Sequence, residues 1–202
     1  MTTIIAITDP TARSQAIAAL QAGEAIAFPT DTVYGVGGGA SNPRAILRLY
    51  EAKQRPRTMA IPVLLADPAD LAHVARSIPP AAAALAQRYW PGGLSLIVPA
   101  ADYLPPELLS HGDSVAVRVP DHAWLRELIR ELGEPLAATS ANRHGAAPPR
   151  LAGLVAEQLG PALALVVDGG ASSGDTPSTV VDCTGAEPRV LRQGSVTIEA
   201  AV

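Results

Sequence analysis

The chain has one cysteine, one lysine, 3 % aromatic residues and no excess of positive charge. Each shortage removes a class of function. A single cysteine, Cys183, cannot close an intrachain disulfide or build a zinc cluster. It lies in the apolar run Val180-Val181-Asp182-Cys183, which reads as a place for a buried small hydrophobe rather than a nucleophile. Few aromatics leave little for a base-stacking surface. A formal net charge of −4 gives no global basic field, so any RNA contact needs a local arginine patch. No apolar run reaches the ~18 residues that cross a bilayer. The N-terminus has no basic segment ahead of an apolar one. The expectation is a cytoplasmic protein with no membrane segment.

What the chain does have is aliphatic core material. At 202 residues and 48 % hydrophobic content it fits one domain, residues 1–202, with a sizeable Ala/Val/Leu/Ile core. Strand-like runs are Thr3 to Ile7, Ala25 to Phe28, Ile61 to Leu65, Leu94 to Val98, Ser114 to Val119, Leu136 to Ala138, Leu163 to Val167, Ser178 to Cys183 and Arg189 to Leu191. Helix starts are marked by Asp9-Pro10, Asn42-Pro43, Asp67-Pro68, Pro79-Pro80, Asp121 and Arg150, and stops by Gly23, Pro56 and Gly133. Residues 101–113 and 168–177 read as loops. Helices and strands alternate without a strict βαβ series, which predicts an α/β fold with a twisted, mixed open sheet and flanking helices.

The stretch Phe28 to Leu65 organises the rest. It places Thr30-Asp31-Thr32, Tyr34 and a glycine run, Gly35 and Gly37 to Gly39, ahead of a helix that delivers Lys53 and Arg55. Hydroxyls, bare backbone and two cations in one unit point to an anion site. Lys53 is the sole lysine among 15 cations. An ammonium in an arginine-rich chain suits a compact point charge on phosphate, although compositional bias and a favourable helix C-terminus explain it too. In Ser114 to Val119 the valines share one face and Arg118 takes the other, toward solvent or a cleft. Thr139-Ser140-Ala141-Asn142 follows a strand, where open α/β sheets place ligands and where simple turns also occur. Thr30/Thr32, Ser114/Arg118, Thr139/Ser140/Asn142 and Ser178, with Lys53 and Arg55, would line a polar cleft if their strands lie side by side.

The familiar nucleotide motifs are missing. Gly35 to Gly39 lacks the Lys-Ser/Thr ending of a P-loop and the spacing of a dinucleotide fingerprint. No Ser-His-Asp or Cys-His set is apparent, and His73, His111, His122 and His144 read as surface residues without partners.

Six ordered motifs nevertheless resemble the YrdC/TsaC family. They are Phe28-Pro29-Thr30-Asp31-Thr32-Val33-Tyr34-Gly35, Lys53-x-Arg55-Pro56, Ser114 to Pro120, Thr139-Ser140-Ala141-Asn142, Ser178 to Asp182, and Arg192-Gln193-Gly194. The resemblance implies an open twisted sheet around a concave, positively lined cavity. It implies L-threonylcarbamoyladenylate synthesis from L-threonine, bicarbonate and ATP, with Mg²⁺ arriving on ATP. Thr30, Tyr34, Arg118 and Ser178 would then hold threonine. Lys53, Arg55, Ser140, Asn142 and Arg192 would hold ATP and bicarbonate, with Lys53 and Arg55 catalytic. The product would pass to a tRNA threonylcarbamoyl-transferase complex, and a weak tRNA or double-stranded RNA contact is a further expectation. Two other readings stand beside this one: a non-catalytic RNA-binding module, and a carbamoyl-adenylating relative using carbamoyl phosphate. Many family members follow Lys-x-Arg-Pro with Asn-Pro-Leu and then a histidine. Here Met59-Ala60-Ile61 and Leu64 stand instead. Longer members add a C-terminal domain, which a chain ending at Val202 is expected to lack.

Overall fold

The computed structural model describes residues 2–172, 174 and 176–198. In chain order the elements are β1 (Thr3–Ala6), α1 (Ala12–Gln21), β2 (Ile26–Phe28), β3 (Gly35–Gly39), α2 (Pro43–Lys53) and β4 (Val63–Leu64). A 3₁₀ turn, Pro68–Asp70, leads into α3 (Leu71–Val74). Then come α4 (Pro80–Tyr89), β5 (Leu94–Pro99), β6 (Ser114–Arg118), α5 (Ala123–Leu132) and β7 (Leu136–Ser140). The last are α6 (Ala152–Leu159), β8 (Leu165–Asp168), β9 (Thr179–Asp182) and β10 (Arg189–Arg192). The described strands form one mixed sheet in the order β1-β8-β2-β3-β7-β4-β6-β5-β9-β10.

The period-2 alternation of the strands sorts side chains into two cores. Ala27, Val36, Val63, Leu96, Val117, Ala137 and Val166 join α2, α4 and α6 on one face. Ile26, Phe28, Leu64, Leu136, Ala138 and Val167 join α1 and α5 on the other. Ser95 and Arg118 alternate with first-core residues, so they turn toward the α1/α5 face, where those helices leave part of the sheet uncovered. Among the described residues no helix is long and apolar enough to cross a membrane.

Several local expectations change. Asp9 does not cap α1; its carboxylate accepts from the Thr11 N–H at 2.8 Å in a tight turn, and the helix starts at Ala12. At α5 the cap is His122, whose Nδ1 accepts from the Leu125 N–H at 3.3 Å, rather than Asp121. His122 therefore has a partner, and so does His73, whose Nδ1 lies 3.8 Å from Asp70. The strand expected over Ile61 to Leu65 shortens to Val63–Leu64. The helix expected from Arg150 starts at Ala152. Asn42 is the cap its sequence implies, its side chain accepting from the N–H groups of Arg44 and Ala45 at 3.0 and 3.4 Å.

The largest correction concerns the glycine run. It is not a phosphate-cradling loop but strand β3, fully buried and paired antiparallel to β2 and β7. Glycine is required there by close approach. A Cβ on Gly35 would stand 2.8 Å from the Phe28 ring, and one on Gly38 2.9 Å from the Ala45 Cβ of α2.

Candidate functional site

A cavity of about 280 Å³ opens on the α1/α5 face of the sheet. It gathers Thr30, Tyr34, Arg55, Arg118, Ser140, Ser178 and Arg192 along its wall. Seven of the nine residues to which the family resemblance gives a role thus meet in one place, and Thr32 and Thr139 line it too. Lys53 and Asn142 do not line the cavity; they lie beneath Ser140. Ser114 is separated from it: β6 places Ser114 opposite Pro99 and Arg118 opposite Leu64, so only Arg118 reaches the cavity.

Three guanidiniums reach this space, in two electrostatic states. Arg118 is 6 % exposed and paired with Asp31, Nη2 to Oδ1 at 2.6 Å. Its Nη1 donates to Thr32 Oγ1 and its Nε to the Gly92 carbonyl, both at 2.9 Å. Arg55 and Arg192 have no carboxylate partner among the described residues. Arg55 donates to the Met59 and Ala60 carbonyls at 3.3 and 3.0 Å. Arg192 donates to the Ser178 carbonyl from Nε at 3.1 Å and from Nη2 at 2.8 Å. Burial lowers the pKa of both, and for Arg192 the nearby Arg118 lowers it further. Two uncompensated cations at one cavity attract an anion of more than one charge.

Lys53 closes α2 on its buried stripe, after Ile46, Leu49 and Tyr50 at helical spacing. It is 2 % exposed, and its Nζ donates to the carbonyl oxygens of Ser140 and Asn142. Burial, and then repulsion from Arg55, push its pKa down from 10.5 to about 8. The ammonium thus pins the Ser140-Ala141-Asn142 turn from below. Asn142 Nδ2 is spent on the Arg143 and Ala146 carbonyls at 2.8 and 2.7 Å, and its Oδ1 is buried without a partner.

The hydroxyl wall is ordered by its own bonds. Thr30 Oγ1 donates to the Val33 carbonyl at 2.7 Å and lies 3.0 Å from Thr32 Oγ1. Ser178 Oγ sits 2.8 Å from Ser95 Oγ. Tyr34 lines the cavity but sends its hydroxyl away, to the Gly170 carbonyl at 2.7 Å. Gly194 lets the backbone fold onto residues 177–179, since a Cβ there would come within 2.5 Å of Thr179 N. That contact lays Arg192 over Ser178 and explains the Arg-Gln-Gly spacing.

Sequence reasoning gave no role to Asp31, Ser95 or Gly92. Asp31 lay in plain view inside Thr-Asp-Thr, but a partner 87 positions away leaves no local signal. Ser95 was hidden in an apolar strand. Cys183 is buried as expected, its thiol pushed up to about 11 by burial and then by Asp182.

A more spacious cavity, about 510 Å³, lies by Asp67, Tyr103, Arg130 and Glu134. Its charged groups already have partners. Asp67 is held by Arg130 at 2.7 and 2.8 Å and by Arg126 at 2.7 Å, and Glu134 accepts from the Ser41 N–H at 3.1 Å. Volume alone therefore does not identify the chemistry, and the smaller cavity with unpaired cations is the candidate site.

Comparison with known proteins gives a consistent result. The Sua5/YciO/YrdC family model, whose description reads telomere recombination, matches residues 18–194. A threonylcarbamoyl-AMP synthase of Bacillus subtilis is 42 % identical over 187 residues, 92 % of this chain and 54 % of the relative. A putative threonylcarbamoyl-AMP synthase of Mycobacterium tuberculosis is 40 % identical, covering 98 % of this chain and 93 % of the relative. The chain thus spans about half the length of the Bacillus protein and nearly all of the mycobacterial one. The crystal structure of P. abyssi Sua5 complexed with L-threonine superposes with a TM-score of 0.91 at 36 % identity, over 96 % of this chain and 58 % of that one. The crystal structure of E. coli YciO gives 0.86 at 25 % identity, over 96 % of both.

Proposed function

The chain belongs to the Sua5/YciO/YrdC family, and on that premise we propose that it makes threonylcarbamoyl-AMP from L-threonine, bicarbonate and ATP. The observation that carries the proposal is the pair of cations, Arg55 and Arg192, that reach the cavity with no carboxylate partner among the described residues, beside the compensated Arg118. Polyphosphate belongs on the first two. A carboxylate, with one charge, suits the residual N–H groups of Arg118.

The chemistry needs no protein nucleophile. The threonine amine adds to the carbon of bicarbonate, water leaves, and a carbamate forms. A carbamate oxygen then attacks the α-phosphorus, and the bond to pyrophosphate breaks. Both partners in the second step are anions, so the protein's task is to neutralise and align them. Arg55 and Arg192 neutralise the phosphates. Ser140 offers a hydroxyl at the cavity wall, with Lys53 and Asn142 supporting it from behind. Arg118, Thr30 and Ser178 hold threonine against Tyr34. Among the described residues the cavity wall presents hydroxyls and guanidiniums, which suit phosphate oxygens. Magnesium, in this reading, would arrive on the triphosphate and would supply charge neutralisation there. Passage of the product to a tRNA-modifying partner, in the cytoplasm, completes the proposal.

The test is pyrophosphate release with ATP, Mg²⁺ and bicarbonate, with and without L-threonine, beside Arg55→Ala. Threonine-dependent release that falls ~10²–10³-fold in the variant supports the reading. Release that needs carbamoyl phosphate instead overturns it in favour of the carbamoyl-adenylating alternative. No release from folded protein, together with tight and steeply salt-dependent RNA binding, overturns it in favour of an RNA-binding module.

A further inference from the structure

We propose that Asp31 is a positioning residue that holds the Arg118 guanidinium in register for the substrate carboxylate. The inference rests on the reading above, in which Arg118 faces threonine.

Arg118 reaches the cavity from the end of β6, and Asp31 does not line that cavity. The two side chains are only 8 % and 15 % exposed. A guanidinium has five N–H donors. Three are committed: one to Asp31 at 2.6 Å, one to Thr32 Oγ1 at 2.9 Å and one to the Gly92 carbonyl at 2.9 Å. These acceptors come from two separate segments, the 30–34 loop and the turn before β5. Together they fix the plane of the guanidinium and leave two donors for a ligand. The loop is itself braced, with the Thr32 N–H donating to Thr30 Oγ1 at 3.1 Å and the Ala141 N–H to the Tyr34 carbonyl at 2.8 Å.

The contrast with the other two guanidiniums gives Asp31 its meaning. Arg55 and Arg192 are held through neutral carbonyls and keep their full charge for the ligand. Arg118 is nearly sealed, and a buried cation with no counter-charge would be costly or would swing toward solvent. Asp31 supplies the counter-charge and holds Arg118 in place before substrate arrives, so the ordering cost is met on folding rather than on binding. It also cancels the charge of the Arg118 guanidinium itself, which suits that group to a singly charged carboxylate.

The experiment measures L-threonine affinity and, separately, affinity for a non-hydrolysable ATP analogue by calorimetry. It uses the full chain, its Asp31→Ala and Asp31→Asn variants, and Arg118→Ala. Asp31→Ala is expected to weaken threonine binding ~10- to 100-fold, the scale of a misplaced contact, with nucleotide affinity unchanged. Asp31→Asn, whose amide oxygen can still accept from Arg118 but which carries no counter-charge, is expected to recover only part of that loss. Threonine affinity unchanged in Asp31→Ala while Arg118→Ala abolishes it overturns the positioning role alone. Equal losses for threonine and nucleotide in Asp31→Ala also overturn it, because they report general damage. No effect of Arg118→Ala overturns the threonine assignment on which the inference stands. Should Asp31→Ala fail to fold, Asp31→Glu decides. Lengthening by one methylene keeps the charge but shifts the grip, so weaker threonine binding supports positioning and wild-type affinity refutes it.

Discussion

Lys53→Met isolates what the single lysine does. The side chain is 2 % exposed, and its ammonium satisfies the Ser140 and Asn142 carbonyls. Methionine keeps the packing but strands two buried acceptors, at ~1–3 kcal/mol each. It also removes an ammonium whose pKa burial pushes from 10.5 down to about 8, a charge-burial cost of about 3 kcal/mol at neutral pH. The two effects oppose each other, so the net change in stability lies between about 1 kcal/mol gained and about 3 kcal/mol lost, a fall of at most ~12 °C in Tm for a chain of this size. Activity has no such compensation. The Ser140-Asn142 turn loses its clamp beside Arg55, and pyrophosphate release is expected to fall ~100-fold. The pH dependence gives a second readout. Between about 8 and 10.5 the unfolded chain binds the Lys53 proton and the folded one does not, so this group makes stability rise with pH across that window. The rise is absent in Lys53→Met. A variant that melts normally and turns over within roughly threefold of wild type refutes the reasoning.

Other expectations follow from the same geometry. Gly194→Ala places a Cβ within 2.5 Å of Thr179 N and nearer still to the Pro177 carbonyl oxygen, both backbone atoms that cannot swing aside. Arg192 must lift from Ser178 and the backbone of residues 177–179 must shift, so steady-state kinetics should show KM raised for ATP through Arg192 and for threonine through Ser178. Cys183, its thiol pushed up to about 11, should react with iodoacetamide at pH 8 on the order of 10²-fold more slowly than a free cysteine, and burst-phase labelling of folded protein would contradict this. Asp67, drawn down to about 2 chiefly by its bond to Arg130, contributes stability above pH 3.8 that is lost as pH falls toward 2. In Asp67→Asn, acid melts from pH 5 to 2 should lack that component; a curve identical to wild type would show that the ion pair is fully solvated.

How much of this was legible depended on how local its cause is. Asn42-Pro43 capping α2, and Gly23 and Gly133 in the left-handed region after α1 and α5, are local and were readable. So was the opposition of Arg118 to Val115 and Val117, because strand alternation is a property of consecutive residues. The grouping of Thr30, Ser178 and Arg192 was expected from motif order, but the sheet order that achieves it joins strands distant in sequence. Strand direction was not readable, and that is why Ser114 was grouped with Arg118 although β6 carries them to opposite ends. The ion pair between Asp31 and Arg118 and the serine pair Ser95–Ser178 share that origin: each crosses more than 80 positions.

The glycine run shows how a correct destination can have a different route. Four glycines beside hydroxyls and cations suggested bare backbone wrapped around phosphate. In the fold those glycines touch protein, not a ligand cavity, apart from Gly35 at its edge. Their absent side chains let α2 lie directly on β3, with Ala45 against Gly38. Two turns further along α2 that same closeness sets Lys53 beneath Ser140, which pairs with Gly35 across β3 and β7. A side chain at Gly38 would hold the helix away from the sheet and draw the ammonium off its carbonyls. The glycines and the lysine therefore belong to one device: the first sets the spacing of helix and strand, and the second uses that spacing to fix the turn where Ser140 meets the cavity.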